Sequence, residues 1–404
     1  MNQINPQEFQ AMDSHGGPGS GSLGAIIQHL HHVQSRKADL VQNSSNMQLR
    51  TVTPYLPWHS GVDGAYKGES EKISEIIVES TGGVPTQTVA LNPVAFNQLA
   101  QKTGIATRDA RRFQSEYPEE FDRLVNAILR KEPANRMIRA YQSKDDNYLL
   151  GRAFVSDAFR TYDNYDLLQA ALPPLLENTD AAWRTVNATV TAQKMYLRFK
   201  SNNFEGQGAA VGDQMAAGVV ISNSEVGMGS ITVGEVIWTL ACLNGMQTQN
   251  LKRSAHIQSA RGEDSYGILA ADTREKDNEL TSLKMRDYVR EFSSRENFDA
   301  TLQKFRAAAD DVISDDVEKQ TVVENLGTVL QLTKSETSSV LEGLIQTMSQ
   351  SGYAGNPLSR ATLVNAVTAV AHKAEPDSVD DWQKLGGRVL ELPRRDWARV
   401  AAAA

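Results

Sequence analysis

From Asn92 onward the chain sets its apolar residues at helical spacing between clear start and stop signals. In "NPVAFNQLAQKTGI", Asn92 is the cap, Pro93 takes the first helical position and Gly104 ends the helix. Thr107 caps a second helix, "RDARRFQSE", and "PEEFDRLVNAILRK" begins a third with Pro118, Glu119 and Glu120 where the helix dipole favours acids. The period then shortens. "RMIRAYQSK" and "NYLLGRAFVS" are β-leaning runs separated by the turn formers Asp145, Asp146 and Asn147, which predicts a hairpin. Its second arm runs into a polar turn at Thr161 to Asn164. A helix then follows, "YDLLQAAL", capped by Asp163 or Asn164 and stopped by Pro173 and Pro174.

Strand periodicity resumes in "TVNATVTAQKMYLRFKS" and in "AGVVISNSEVGMGSITVGEVIWTL", which reads as strand, turn at Val226 to Gly229, strand. "VIWTLACLNG" is expected to finish as a helix ended by Asn244 and Gly245. Beyond residue 272 the spacing is helical: Leu280, Leu283, Tyr288, Phe292, Phe298, Leu302 and Phe305 mark one or two long amphipathic helices. "VEKQTVVENLGTVLQL", "SSVLEGLIQTMSQ", "SRATLVNAVTAVAHKA" and "DDWQKLG" supply further ones.

Residues 51 to 90 read as short strands and turns, with "TPYLPWHSG" a loop and "EKISEIIVES" compatible with strand or helix. At the start, "HGGPGSGSLG" is a flexible Gly/Ser/Pro segment, after which Ile26, Ile27, Leu30 and Val33 share one helical stripe. That stripe predicts a helix docked on the body or on another copy of the chain. The expected class is therefore α+β, with a central, mostly antiparallel sheet, flanking helices and a mainly helical C-terminal region. Residues 1–50 form a flexible N-terminal segment with a short amphipathic helix, 51–272 the α+β core and 273–404 the helical region.

Composition narrows the functional classes. At 404 residues, 40% hydrophobic and 22% charged, the chain is ordinary for a globular protein. Its longest apolar stretch, Val236 to Leu243, is far below the roughly 20 residues that cross a bilayer, so no membrane partner is expected. The start lacks a basic run followed by an apolar one, so secretion is not expected. Cys242, the single cysteine, suits a reducing cytoplasm and reads as a small buried hydrophobe.

The net charge of −8 is unevenly spread. Arg108, Arg111, Arg112, Arg130, Lys131, Arg136, Arg139, Lys144, Arg152, Arg160, Lys194, Arg198, Lys200, Lys252 and Arg253 gather in the first two thirds, whereas acids prevail after about residue 262. No phosphate loop, paired Cys-x-x-Cys, His-Glu-x-x-His or Gly-x-Ser-x-Gly motif is present, so catalysis and cofactors are not expected. His29, His31 and His32 lack a complementary ligand pair for zinc. "DDVISDD" reads as a solvated or capping cluster, and Asp157 with Asp163 lacks the third acid and the lysine of a magnesium nuclease.

Binding is better supported. Basic and aromatic residues alternate along three β-leaning runs, as an electrostatic groove with stacking faces for single-stranded nucleic acid requires. The candidates are Arg136, Arg139, Tyr141, Lys144, Arg152, Phe154, Arg160, Lys194, Arg198 and Lys200. A strand period of two puts Arg139 with Tyr141 and Arg152 with Phe154 on shared faces, and opposes Arg198 to Phe199. The plainer alternative has the aromatics in the core and the cations in solvent. "LAQKTGIATRDARRF" also fits a helix-turn-helix with Gly104 in the turn, a pairing that is common in purely structural units as well.

The helices from "LNPVAFNQLAQKTGI" to "FDRLVNAIL", the block "GRAFVSDAFRTYDNYDLLQAALPPL", the block "ISNSEVGMGSITVGEVIWTLACLNGM" and the late helix "RATLVNAVTAVAHKA" occur in this order. Over roughly residues 85 to 375 the chain resembles the phage/plasmid-like proteins classed as domain of unknown function nine-three-two. The resemblance implies a bacteriophage, prophage or plasmid source, a bacterial cytoplasm, and work in DNA maintenance, recombination or evasion of host defence. It brings no reaction and no catalytic residues. The expected function is thus a non-enzymatic DNA-associated protein, a single-strand binder or annealing factor acting as a homo-oligomer. The alternatives are a protein that sequesters a host factor and a structural, oligomer-forming phage component.

Overall fold

The computed structural model describes residues 22–53, 72–79, 85–142, 149–208, 214–239, 246–249, 255–257, 269–349, 357–371, 373–374 and 378–403. The "TPYLPWHSG" loop, Lys144 with the turn at Asp145 to Asn147, Cys242 and the helix end at Asn244 and Gly245 lie outside the described residues.

Ser22 caps helix α1 (Leu23–Ser35) by accepting from the Ala25 N–H at 3.1 Å. Strands β1 (Leu40–Asn43), β2 (Met47–Val52), β3 (Ile73–Val78) and β4 (Gln87–Leu91) follow. Next come helices α2 (Pro93–Lys102), α3 (Thr107–Glu116) and α4 (Pro118–Lys131), then β5 (Asn135–Gln142) and β6 (Leu149–Ser156). The six strands make one sheet in the order β1-β5-β6-β4-β3-β2. All neighbours are antiparallel except β4 and β6, which run parallel because three helices and a strand intervene between them. "EKISEIIVES" is thus a strand, with Ile73, Ile76 and Val78 buried.

Helices α2 to α4 cover one face of this sheet. Phe96, Leu99, Phe121, Val125 and Leu129 pack there against Leu49, Ile76, Val89, Ile138 and Phe154. The outermost strand, β2, leaves main-chain groups without a strand partner, and α4 supplies side chains for them. Asn126 accepts from the Leu49 N–H at 2.7 Å and donates to its carbonyl at 2.9 Å, while Asp122 accepts from the Thr51 N–H at 2.7 Å. Residues 40–50, expected within the N-terminal appendage, are built into the sheet as β1 and most of β2.

Helix α5 (Asn164–Glu177) leads to a second, wholly antiparallel sheet. Its strands β7 (Trp183–Val190), β8 (Met195–Gln207), β9 (Gln214–Asn223), β10 (Ile231–Thr239) and β11 (Met246–Gln249) lie in sequence order, and β12 (Ala255–Ile257) pairs with the same edge of β10 as β11. Helices α6 (Ala271–Phe292), α7 (Arg295–Asp310), α8 (Lys319–Leu330), α9 (Lys334–Ser349), α10 (Arg360–Val370), α11 (Val379–Leu390) and α12 (Arg394–Val400) complete the chain. The main core joins Leu197, Phe199, Val219, Ile221, Val233 and Ile237 of the sheet to α1, α5 and the C-terminal helices. Helix α1 docks through its apolar stripe on α5 and β7 of its own chain.

The α+β class, the mainly antiparallel pairing and the helical C-terminal region agree with the sequence reading, but the strands divide between two sheets. Two local expectations are corrected. Pro173 and Pro174 do not stop α5, which continues to Glu177 because Leu172, Pro174 and Leu175 are held in the core. "VIWT" belongs to β10 through Thr239, paired on both sides, where a helix start had been expected.

Candidate nucleic-acid interface

Ten side chains define the candidate surface, and the register of β5 against β6 separates the first of them. Arg139 is opposite Ala153, but Ala140 is opposite Gly151, so Arg152 is an extra residue in β6. Such a bulge re-aims a side chain. Phe154 enters the core beneath α2 to α4 with no exposed surface, while Arg152 turns to the other face and lies 5.7 Å from the Tyr141 ring centre. The shared face expected for Arg152 and Phe154 is therefore wrong, and strict alternation fails at that point.

Arg139 is completely buried. Its Nε donates to Asp39 at 3.2 Å, one terminal nitrogen donates to the Glu225 carbonyl at 2.9 Å, and the other donates to Asp163. Lys37 Nζ donates to the second Asp163 oxygen at 2.7 Å. Arg152 donates to the Glu225 carboxylate, whose other oxygen accepts from the Asn164 N–H at 2.6 Å. Lys37, Arg139 and Arg152 thereby face Asp39, Asp163 and Glu225, a balanced set drawn from four chain segments. Burial alone would lower the Arg139 pKa, but Asp163, Asp39 and Glu225 outweigh it and raise it. Burial alone would raise that of Asp163, but Arg139 and then Lys37 hold it well below the usual carboxylate range.

This network is where two stretches distant in sequence meet. "GRAFVSDAFRTYDNYD" and "ISNSEVG" are joined through Arg152–Glu225 and Asn164–Glu225, and Asn223 donates to the Tyr162 carbonyl at 2.9 Å and to Asn164 at 3.0 Å. Asp166, one turn into α5, is left beside this charge. Its carboxyl is pushed up to about 6, chiefly by burial and next by the neighbouring Asp163.

Arg160 is likewise paired, 2.6 Å from the Asp277 carboxylate and hydrogen-bonded to Thr281 of α6. Arg136 is half-buried on β5, and Lys194 lines a shallow cleft with His29, Arg152 and Glu225. Arg139, Arg152 and Arg160 thus direct their charge inward to carboxylates, although Arg152 still lines the cleft that Lys194 borders.

The cations of β8 are placed differently. Met195, Leu197 and Phe199 point into the main core, so Tyr196, Arg198 and Lys200 share the opposite face, as strand periodicity requires. Arg184 of β7 stands directly across from Lys200. Like charges at such a cross-strand position repel. Burial, and then Arg184, pull Lys200 below the ordinary lysine range, and its ion-pair partner Glu205 is 4.0 Å away. The Arg198 guanidinium lies 4.2 Å from the Tyr196 ring centre, its Nε buried without a hydrogen-bond partner. No carboxylate among the described residues pairs with Arg184 or Arg198. Tyr196 is in turn fixed by donating to Gln383 of α11 at 2.6 Å.

Sequence reading had found Arg198 and Lys200 but passed over Arg184. The signal available was "WRTV", a cation alternating with inward-facing residues in a strand that must pair with "MYLRFKS".

The α2–α3 unit has the expected helix–turn–helix order, but Thr107 is the first residue of α3 and Ala106, without a side-chain cap bond, stands at the cap. Gly104, at φ +72°, makes the turn, and Arg108, Arg111 and Arg112 are exposed on α3. Arg111 donates to Asn97 at 3.2 Å and Arg112 lies 4.0 Å from Glu116. Among the described residues, no group of three His, Cys, Asp or Glu side chains is placed to hold a metal ion, and no helix is long and apolar enough to cross a membrane. Comparison with protein families, with curated proteins and with solved structures finds no match to this chain.

Proposed function

We propose that the protein is a non-enzymatic, DNA-associated protein of a phage or plasmid that holds single-stranded nucleic acid at the β7–β8 edge of its second sheet, where Arg184 is exposed. The observation that carries the reading is the Arg184, Arg198 and Lys200 set: three cations on two paired strands with one distant carboxylate. A phosphate backbone relieves their repulsion and releases its own counterions on binding. Arg198, its guanidinium 4.2 Å from the Tyr196 ring centre, and Lys200 are 9% and 8% exposed, so Arg184 is the cation that meets a phosphate first. Tyr196 itself is buried, so the contacts are to the backbone and the binding is tolerant of sequence. The resemblance to phage/plasmid-like proteins supplies the setting, a bacterial cytoplasm and a task in DNA maintenance or recombination.

Anisotropy titration with a labelled single-stranded oligonucleotide at several salt concentrations tests this. Three phosphate contacts give a slope of log affinity against log salt of about −2, at roughly 0.7 per contact. No binding even at low salt would sink the proposal. A second reading rests on the exposed α3 arginines beyond the Gly104 turn, which fit a duplex groove. Tighter binding to duplex than to single strands, lost in Arg108→Ala, would favour that reading instead.

A further inference from the structure

Helix α6 buries Thr281, Ser282, Met285, Val289 and Phe292 against the body of the chain. At about 100° per residue, the side opposite that face carries Lys276, Leu280, Leu283 and Asp287. These positions step by four, three and four residues, the spacing of a coiled-coil seam. The two leucines at its centre are 48% and 47% exposed, and Tyr288 beside them is 37% exposed, within a helix whose outward face is otherwise charged.

We infer that this face pairs with α6 of a second copy of the chain, antiparallel, about a two-fold axis between Thr281 and Ser282. The charge order selects both occupant and direction. In the antiparallel alignment Leu280 meets Leu283 of the second copy and Lys276 meets its Asp287. Glu279, flanking the seam, meets Arg286 of that copy. The seam charges Lys276 and Asp287 then face their opposites, and two-fold symmetry forms the pair twice. A parallel alignment sets Lys276 against Lys276 and Asp287 against Asp287, and repels. The charges are already displayed along the helix surface, Lys276 by Glu279 at 2.8 Å and Asp287 by Arg286 at 3.4 Å. From Lys276 to Asp287 the seam is about 17 Å long, and it leaves the Arg184–Arg198–Lys200 set, on other elements, uninvolved.

Sedimentation velocity or light scattering of the full chain over a range of concentrations tests the inference. The wild type is expected to pass from one to two chains as concentration rises. Leu283→Asp is expected to weaken association by at least about tenfold, with an unchanged circular dichroism spectrum because Leu283 is outside the core. Lys276→Glu weakens it too, and Lys276→Glu with Asp287→Lys restores it by exchanging the two signs. A wild type that stays a single chain at every concentration overturns the inference. So does association that survives Leu283→Asp, or a double variant no better than Lys276→Glu alone.

Discussion

Replacing Asp163 by Asn probes the ionic network that ties the two sheets together. The substitution keeps the side-chain shape and removes one negative charge from beside Arg139, which has no solvent to turn to at 0% exposure. Arg139 retains Asp39 at 3.2 Å and the Glu225 carbonyl at 2.9 Å, so the loss falls near the lower end of the range for breaking a buried pair, about 3 kcal/mol. Lys37 loses one of two partners, keeping Asp39 at 3.6 Å, and with 30% of its side chain exposed it adds little. Three kcal/mol is a large share of the roughly 5–15 kcal/mol that holds a typical domain folded.

Urea unfolding at pH 7 is expected to show an earlier midpoint for Asp163→Asn. The pH dependence supplies a second, independent check. The Asp163 pKa is lowered on folding, so its contribution is present above the ordinary value of 3.8 and is lost as pH falls below it. The gap between wild type and variant should therefore narrow below about pH 4. Equal stability at pH 7, or a gap that persists unchanged into acid, refutes the assignment of Arg139 and Asp163 as a mutually dependent buried pair.

Asp166 runs the other way. Its pKa rises on folding from 3.8 to about 6, so ionisation costs stability that is intact below pH 4, declines between 4 and 6, and is fully lost above. Asp166→Asn should stabilise the protein above pH 6 by up to about 3 kcal/mol and leave it unchanged in acid; superimposable pH profiles would count against this. Gly218→Ala places a methyl group 2.4 Å from Trp238 Nε1 and 2.9 Å from the Phe199 carbonyl, the pair joined by a 3.2 Å hydrogen bond. A loss of about 1–3 kcal/mol and a shifted tryptophan emission are expected, and a variant with wild-type melting and emission would contradict the packing described.

Local signals made much of the fold legible. The Asn92 side chain accepts from the Ala95 N–H at 2.9 Å ahead of Pro93, as the "NPVAF" pattern specifies, and Gly104 adopts the positive φ its place after a helix requires. Such interactions span three or four residues, so they are written in the order of the chain. The ionic network is not. Arg152 finds Glu225 73 residues away and Arg139 finds Asp39 100 residues away, and nothing near either arginine in sequence announces its partner. The bulge that turns Arg152 from the Phe154 face depends on pairing with β5, and single-strand periodicity cannot contain it. The same limit hid Arg184, which matters because it stands opposite Lys200 on the neighbouring strand.

That difference between neutralised and unneutralised cations is the centre of the account. It is tested most directly by the salt dependence of single-stranded oligonucleotide binding in the wild type, Arg184→Ala and Arg160→Ala. Arg184→Ala should weaken binding and flatten the salt slope by about 0.7, the share of one phosphate contact, because Arg184 is exposed on the second sheet. Arg160→Ala should lower stability by losing Asp277 and Thr281 while leaving affinity and slope as in the wild type. Wild-type binding in Arg184→Ala together with lost binding in Arg160→Ala would contradict it.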